Sequence, residues 1–203
     1  DRFAYFKNFL DDFYNVDVFG GKRISKEAWQ NSFNVAASSS AYATYACVRT
    51  WLTDFRADSG YPAQMKGVML RICPDARFVD ISHAVPPFQI MLGQLLLRDV
   101  APCFGPGTIH LAVVDPGVGS SRRPIVVVGG DRAPGQLFVG PDNGLLWPFI
   151  PGGRVYELAE PAFRRNHVSS TFHGRDIFAP AAAHLAMGVA PERFGPEVHD
   201  PVK

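Results

Sequence analysis

Proline is missing from the first 61 residues of this 203-residue chain: none of the seventeen lies before Pro62, where an even spread would place roughly five. That gap excludes one uniform design and marks a boundary between two modules. Cysteine is scarce too. Cys47, Cys73 and Cys103 are odd in number, widely spaced and without a CxxC pair, which excludes a disulfide framework and a cysteine zinc site and leaves them as small core residues. There is no Lys/Arg cluster, and twenty basic against nineteen acidic residues give a formal charge of +1, so neither nucleic acid nor an anionic membrane is the expected partner. No apolar run approaches a spanning helix: Ile90 to Leu97 is interrupted by Gly93 and Gln94. The N-terminus lacks a signal-peptide pattern, and the expectation is a soluble, cytoplasmic protein. A GxSxG nucleophile elbow is absent, which excludes esterase chemistry of the α/β-hydrolase kind.

Aromatic residues crowd where proline is missing. Thirteen of twenty-five Phe, Trp and Tyr residues fall between Phe3 and Phe55. Phe3, Phe6, Phe9, Leu10 and Phe13 recur at three- and four-residue steps and predict a helix ending before Gly20-Gly21. Ser25 is an N-cap for a second helix through Trp29 and Phe33, and Ser38-Ser39-Ser40 reads as a linker. Residues 1–50 are thus expected to form a helical appendage. Ala41 to Phe55 is ambiguous between helix and strand.

From Ser59 onward helices and strands alternate. Pro62 suits the first turn of a helix whose Met65, Val68, Met69 and Ile72 share one face, and Pro74 stops it. Strands are expected over Arg77 to Ile81, Thr108 to Val114, Pro124 to Val128 and Leu137 to Val139, with helices from about Phe88 to Val100 and Asp176 to Met187. This order predicts an α/β fold, a largely parallel central sheet flanked by helices, with ligands beyond the carboxyl ends of the strands.

Three polar loops fall at such ends. Asp115 follows the Ile109 to Val114 strand and opens Asp-Pro-Gly-Val-Gly-Ser-Ser-Arg-Arg, in which Arg122 can fold back as a bidentate partner. An Asp/Arg pair pinning a turn is the alternative. Gly140-Pro141-Asp142-Asn143-Gly144 should open on the same edge, although turns demand the same residues. Ser169 to Asp176 places His173 at a helix N-terminus, as a titratable group or as a cap.

Together with Met65-Lys66-Gly67-Val68, Val79-Asp80-Ile81-Ser82-His83, Val113-Val114-Asp115-Pro116-Gly117-Val118-Gly119, Phe138-Val139-Gly140-Pro141-Asp142-Asn143-Gly144-Leu145-Leu146 and Thr171-Phe172-His173-Gly174-Arg175-Asp176, these loops give the stretch from about Trp51 to Lys203 its likeness. It resembles the S-adenosylmethionine hydroxide adenosyltransferase family, relatives of fluorinase and chlorinase. The resemblance implies hydrolysis of S-adenosylmethionine to adenosine and methionine, with no metal or other cofactor, in a homotrimer. It places the family's catalytic triad on Asp115, Arg122 and His173. Asp54 matches the carboxylate that grips the ribose hydroxyls and Phe88 the aromatic wall beside ribose and sulfonium; Asp142, Asn143 and Gly174 complete the implied substrate positions. Two departures stand out: Arg56 occupies the glycine position after Asp54-Phe55, and Ser59 that of a second aspartate. The family's C-terminal β-barrel has no counterpart before Lys203, so the alternative is a non-catalytic fragment with weak nucleoside binding.

The chemistry suits those residue types. Water attack at ribose C5′ expels a neutral thioether from a sulfonium, so a dry pocket favours the transition state over the cation. Asp115 held by Arg122 can orient the water, with His173 near enough to take or relay its proton. A carboxylate there repels halide ions. Residues 1–58 have a second likeness: they resemble the cap region of cofactor-free haloperoxidases. The two overlap at Leu52-Thr53-Asp54-Phe55, and a chimeric chain joined there is the expectation.

Overall fold

Val48 to Thr53, the stretch that periodicity leaves open, is a strand. Trp51 and Leu52 are both buried and belong to different hydrophobic clusters, one on each face of the sheet, as successive apolar residues in a strand covered on both faces should be. The structure is a computed structural model that describes residues 48–56 and 58–203. The chain divides into two units, Asp1–Thr44 and Tyr45–Lys203. The helices expected within residues 1–40 and the core assignment of Cys47 lie outside the described residues.

The elements, in chain order, are β1 (Val48–Thr53), α1 (Tyr61–Ile72), β2 (Arg77–Ser82), α2 (Ile90–Val100), β3 (Ile109–Val113), β4 (Pro124–Val128), β5 (Leu137–Pro141), β6 (Arg154–Glu157) and α3 (Ala179–Ala186), the last entered through a π-helical turn at Gly174–Phe178. Pro62 sits in the first turn of α1, where its missing N–H costs nothing. The amide of Cys73 closes that helix on the Met69 carbonyl at 2.8 Å, before Pro74.

The sheet order is β2-β1-β3-β5-β4-β6. β2, β1, β3 and β5 are parallel neighbours; β4 runs antiparallel to both β5 and β6. The chain steps from β1 outward to β2 and then back across β1 to β3, so strand order reverses at the β1/β3 boundary. In open α/β sheets that reversal opens a crevice at the carboxyl ends. α1 and α3 pack over one face with Trp51, Leu111 and Val113; α2 covers the other with Leu52, Ala112 and Val114. Gly93 of α2 lies so close to the sheet that a Cβ would stand 3.0 Å from Val114 Cγ2 and 3.1 Å from Leu145 Cδ1.

The α/β architecture agrees with the sequence, with corrections in detail. β6 is an unanticipated strand: Arg154–Glu157 is too short to declare a pattern, and it is held by pairing with β4. Cys73 is buried as expected, but Cys103 is exposed in the 3₁₀ turn after α2. The final α-helix begins at Ala179 rather than Asp176, because Gly174–Phe178 takes the wider π-helical pitch.

Candidate active site

Asp54 leaves the end of β1 and Asp115 follows β3, so the strand reversal delivers two carboxylates to one crevice. A cleft of about 240 Å³ lies there, lined by Asp54, Phe55, Tyr61, Pro87, Phe88, Val113, Asp115, Val118, Thr171 and Gly174. Three further segments therefore reach it: the start of α1, the turn before α2 and the loop before the π-helical turn.

Arg122 folds back onto Asp115, as its seven-residue separation allows. Its Nε donates to Asp115 Oδ1 at 3.0 Å and Oδ2 at 2.9 Å, and Nη2 makes a further bond to Oδ2. Both side chains are nearly dry, 5% exposed for Asp115 and 8% for Arg122. Nη2 also donates to His173 Nδ1 at 2.9 Å. The remaining guanidinium nitrogen, Nη1, is buried without a protein partner among the described residues. The three groups thus form a line, carboxylate to guanidinium to imidazole, with Asp115 as the member that lines the cleft.

The line fixes the state of the imidazole. Guanidinium nitrogens only donate, so Nδ1 of His173 accepts and the neutral ring carries its proton on Nε2. Burial pushes the His173 pKa below its usual 6.5, the Arg122 cation pushes the same way, and the Asp115 carboxylate opposes them. His173 is neutral near pH 7.

Gly119 brings the loops together. Its φ of +79° is left-handed, and a Cβ there would sit 2.5 Å from the Ser170 carbonyl oxygen. Only glycine lets the Asp115 loop approach the His173 loop this closely. The His173 loop is tied down by Asp176, which is fully buried and accepts from Arg165 Nη1 at 2.9 Å, Arg175 Nε at 2.8 Å and the Ser169 amide at 3.0 Å.

On the opposite wall, Asp54 Oδ2 accepts from the Phe88 amide at 3.2 Å. Burial raises the Asp54 pKa, the Phe88 amide lowers it, and the nearby Asp115 charge raises it again. Tyr61 packs edge-on to Phe55, ring centres 4.2 Å apart, and burial holds its phenol neutral by pushing its pKa to about 12.

The structure therefore joins Asp115, Arg122 and His173, and it places Asp54, Phe88 and Gly174 around the same cleft. Asp142 and Asn143 lie elsewhere. Asp142 is held by Arg123 Nε at 2.9 Å and by the Val202 amide at 2.8 Å, while Arg123 also binds Asp200. Asn143 Nδ2 donates to the Val114 carbonyl at 2.9 Å, and its Oδ1 accepts from the Leu145 amide, so it shapes the chain just before Asp115 without lining the cleft. Arg56 does not line the cleft; it makes an exposed ion pair with Asp58 at 2.9 Å, and its φ of +62° shows the backbone that a glycine would adopt freely. Sequence reasoning missed Tyr61, Val118 and Thr171 as lining residues and Asp176 as the anchor of the His173 loop. Val118, Thr171 and Asp176 lie inside motifs already noted, with nothing in the sequence to mark their separate roles, and Tyr61 stands just before the Pro62 that opens its helix. Among the described residues no group of His, Cys, Asp and Glu side chains is disposed to hold a metal ion, and no helix is long and apolar enough to cross a membrane.

Comparison with known proteins gives the chain its relatives. An (R)-S-adenosyl-L-methionine hydrolase from Salinispora arenicola is 42% identical over 153 residues, covering 73% of this chain but 57% of the relative. The chain thus spans little more than half of that relative's length. A crystal structure of a conserved protein from Thermotoga maritima superposes with a TM-score of 0.71 at 38% identity, covering 76% of this chain and 60% of the other. A separate likeness, 60% identical over 58 residues, is to a putative non-heme chloroperoxidase of Synechocystis and covers 29% of this chain and 21% of that one. The model of the SAM hydroxide adenosyltransferase N-terminal domain matches residues 50–195, a span that takes in both walls of the cleft and its carboxylate–guanidinium–imidazole line; the chain belongs to the SAM hydroxide adenosyltransferase family.

Proposed function

We propose that the Tyr45–Lys203 unit carries the catalytic face of a SAM hydrolase. Water attacks ribose C5′ of S-adenosylmethionine, the C5′–S bond breaks with its electron pair going to sulfur, and adenosine, methionine and one proton leave. The observation that carries this reading is the contiguous line of Asp115, Arg122 and His173 at the β1/β3 reversal, with Asp115 facing the cleft. Asp115, anchored on both oxygens by Arg122, orients the water and draws off its proton. His173, neutral and accepting from Arg122, fixes the guanidinium and stabilises it when the carboxylate becomes protonated. Two carboxylates and the rings of Phe55, Tyr61 and Phe88 suit a sulfonium cation and oppose a halide ion. No resident cofactor is invoked, since the leaving group already carries the positive charge that drives its departure.

The full chain incubated with S-adenosylmethionine should release adenosine, read by chromatography, and an Asp115→Ala chain should not. Equal release by both ends the proposal. One observation favours a second reading. At about 240 Å³ the cleft falls short of the roughly 300–1,000 Å³ typical of small-molecule sites, so this chain alone gives partial enclosure and binds nucleoside without turnover. Adenosine binding by calorimetry with no adenosine released from the substrate selects that reading. A homotrimer, in which neighbouring subunits complete the enclosure, is part of the first reading; sedimentation tests it.

A further inference from the structure

Phe88 is a bulky residue in a backbone conformation that bulky residues avoid. Its φ is +68°, the residue is 67% exposed, and it stands on the rim of the cleft. A β-carbon at positive φ collides with the following carbonyl, and an aromatic residue persists there only when its surroundings over-determine it. The ring contributes little to that restraint, being mostly in solvent. The Pro86-Pro87 pair stiffens the approach, the Gln89 amide bonds the Pro86 carbonyl at 3.1 Å, and the Ile90 amide bonds the Phe88 carbonyl at 3.0 Å. Among the described residues the side chain bonded to the Phe88 backbone is Asp54, whose Oδ2 accepts from the Phe88 amide at 3.2 Å.

We propose that Asp54 is a positioning residue for the aromatic rim: its carboxylate clamps the Phe88 amide and so holds the Phe88 ring over the cleft. This goes beyond the ligand contact that a cleft carboxylate implies and rests on the proposed nucleoside site only for its second test. The carboxylate has four lone-pair sites, so one oxygen can hold the rim while others meet a ligand's hydroxyl groups. A bond from an amide to a carboxylate is among the stronger hydrogen bonds, and here it offsets the backbone strain of one residue. Asp54 is therefore tied to ligand binding by two routes, directly through a diol and indirectly through the wall that Phe88 provides.

The free chain tests the clamp without any ligand. Asp54→Ala should raise the exchange rate of the Phe88 amide roughly ten- to a hundredfold, the loss of a bond to a charged acceptor, read by NMR. Asp54→Asn keeps an acceptor oxygen and should restore much of the protection. Phe88→Gly, free of the positive-φ penalty, should raise the midpoint of thermal unfolding. Unchanged exchange in Asp54→Ala overturns the proposal, whatever the chain binds. The second test uses 2′,3′-dideoxyadenosine, which has no diol to grip. Calorimetry should show Asp54→Ala weakening this probe as much as Phe88→Ala does, with no further loss in the double variant. If the wild-type chain binds adenosine and Asp54→Ala leaves the dideoxy probe untouched, the carboxylate serves the ligand alone and the proposal fails. If the wild type binds neither nucleoside, the proposed function fails and amide exchange still decides the clamp.

Discussion

Lowering the pH from 7 to 5 should remove about 2 kcal/mol of stability through one buried residue, His110, the second residue of β3. Its ring is fully buried, stacked on Phe138 at 4.6 Å, with Phe104 edge-on at 5.7 Å. Gln136 Nε2 donates to the carbonyls of Ala101 at 3.2 Å and Phe104 at 2.5 Å, which turns its Oε1 toward His110 Nε2 at 2.7 Å. Nε2 therefore carries the proton, and Nδ1 accepts from the Thr50 hydroxyl on β1. A second proton would place a full charge in an apolar layer and reverse the Thr50 bond. Burial drives the pKa down from 6.5 to about 4, against a smaller opposing effect of Gln136. The folded state thus binds fewer protons than the unfolded state between those values, so this contribution is whole above about pH 6.5, falls through the window and is gone below about pH 4. At about 1.36 kcal/mol per unit the full span is about 3 kcal/mol, of which about 2 is lost between pH 7 and pH 5. The assay is urea unfolding of the full chain and of His110→Phe at both pH values. The variant leaves Gln136 and Thr50 without their partner at every pH, so it is less stable at pH 7, and the gap should narrow by about 2 kcal/mol at pH 5. Other histidines are common to both proteins and cancel. Parallel pH dependences would refute the claim that His110 is held neutral.

Three other substitutions probe the framework of the site. Arg56→Gly should stabilise the chain by about 0.5–1 kcal/mol, because glycine is unstrained at φ +62° and the exposed Asp58 pair contributes little; a lower thermal midpoint contradicts it. Gly119→Ala forces a Cβ toward the Ser170 carbonyl and should cut hydrolysis by about tenfold or more while costing about 1–3 kcal/mol, measured by turnover and by urea unfolding. Asp176→Ala removes the buried carboxylate shared by Arg165, Arg175 and the Ser169 amide and should cost about 1–3 kcal/mol, since the two arginines keep access to solvent; a loss under about 1 kcal/mol in urea unfolding would show that the His173 loop does not depend on this anchor.

The parallel core was legible because burial on both faces writes itself as continuous apolar runs. Ile109–Val113 is buried at every residue and Leu137–Pro141 at all but its first, whereas their neighbour Val48–Thr53 carries Arg49, Thr50 and Thr53 among its apolar residues and so stayed ambiguous. The direction of β4 was not legible, since Pro124–Val128 has the same composition as a parallel strand and only its pairing with Leu137–Pro141 distinguishes it. β6 hid for a related reason: four residues hold no period, and Val155 and Tyr156 owe their burial to elements far away in the chain. At the cleft, the residues that carry charge announced themselves as short polar motifs after apolar strands. The apolar lining did not, because Tyr61 and Val118 look like ordinary helix-start and loop residues until the strand reversal folds their segments over one crevice. Asp142 shows the converse. Its motif is a good turn and a good site in sequence, and what no pattern announced is that Asp142 sits outside the cleft, held by Arg123 and by the Val202 amide, sixty residues on.

The same three-group line makes a sharper claim about acid. Arg122 Nη2 can donate to His173 Nδ1 only while that nitrogen is bare, so protonating the ring replaces an accepted hydrogen bond with two opposed N–H groups. Burial and the guanidinium both resist that proton, which moves the event below pH 6.5. Hydrolysis should hold a plateau through neutral pH and fall on the acid side as His173 takes its proton and Arg122 is pushed off Asp115. His173→Asn puts an amide oxygen close to where Nδ1 lies, which accepts from Arg122 and does not titrate. This variant should retain turnover at neutral pH within about tenfold and lose the part of the acid limb that His173 contributes. If instead it is inactive at every pH, the ring is needed for the proton itself, and His173 belongs in the reaction rather than behind it.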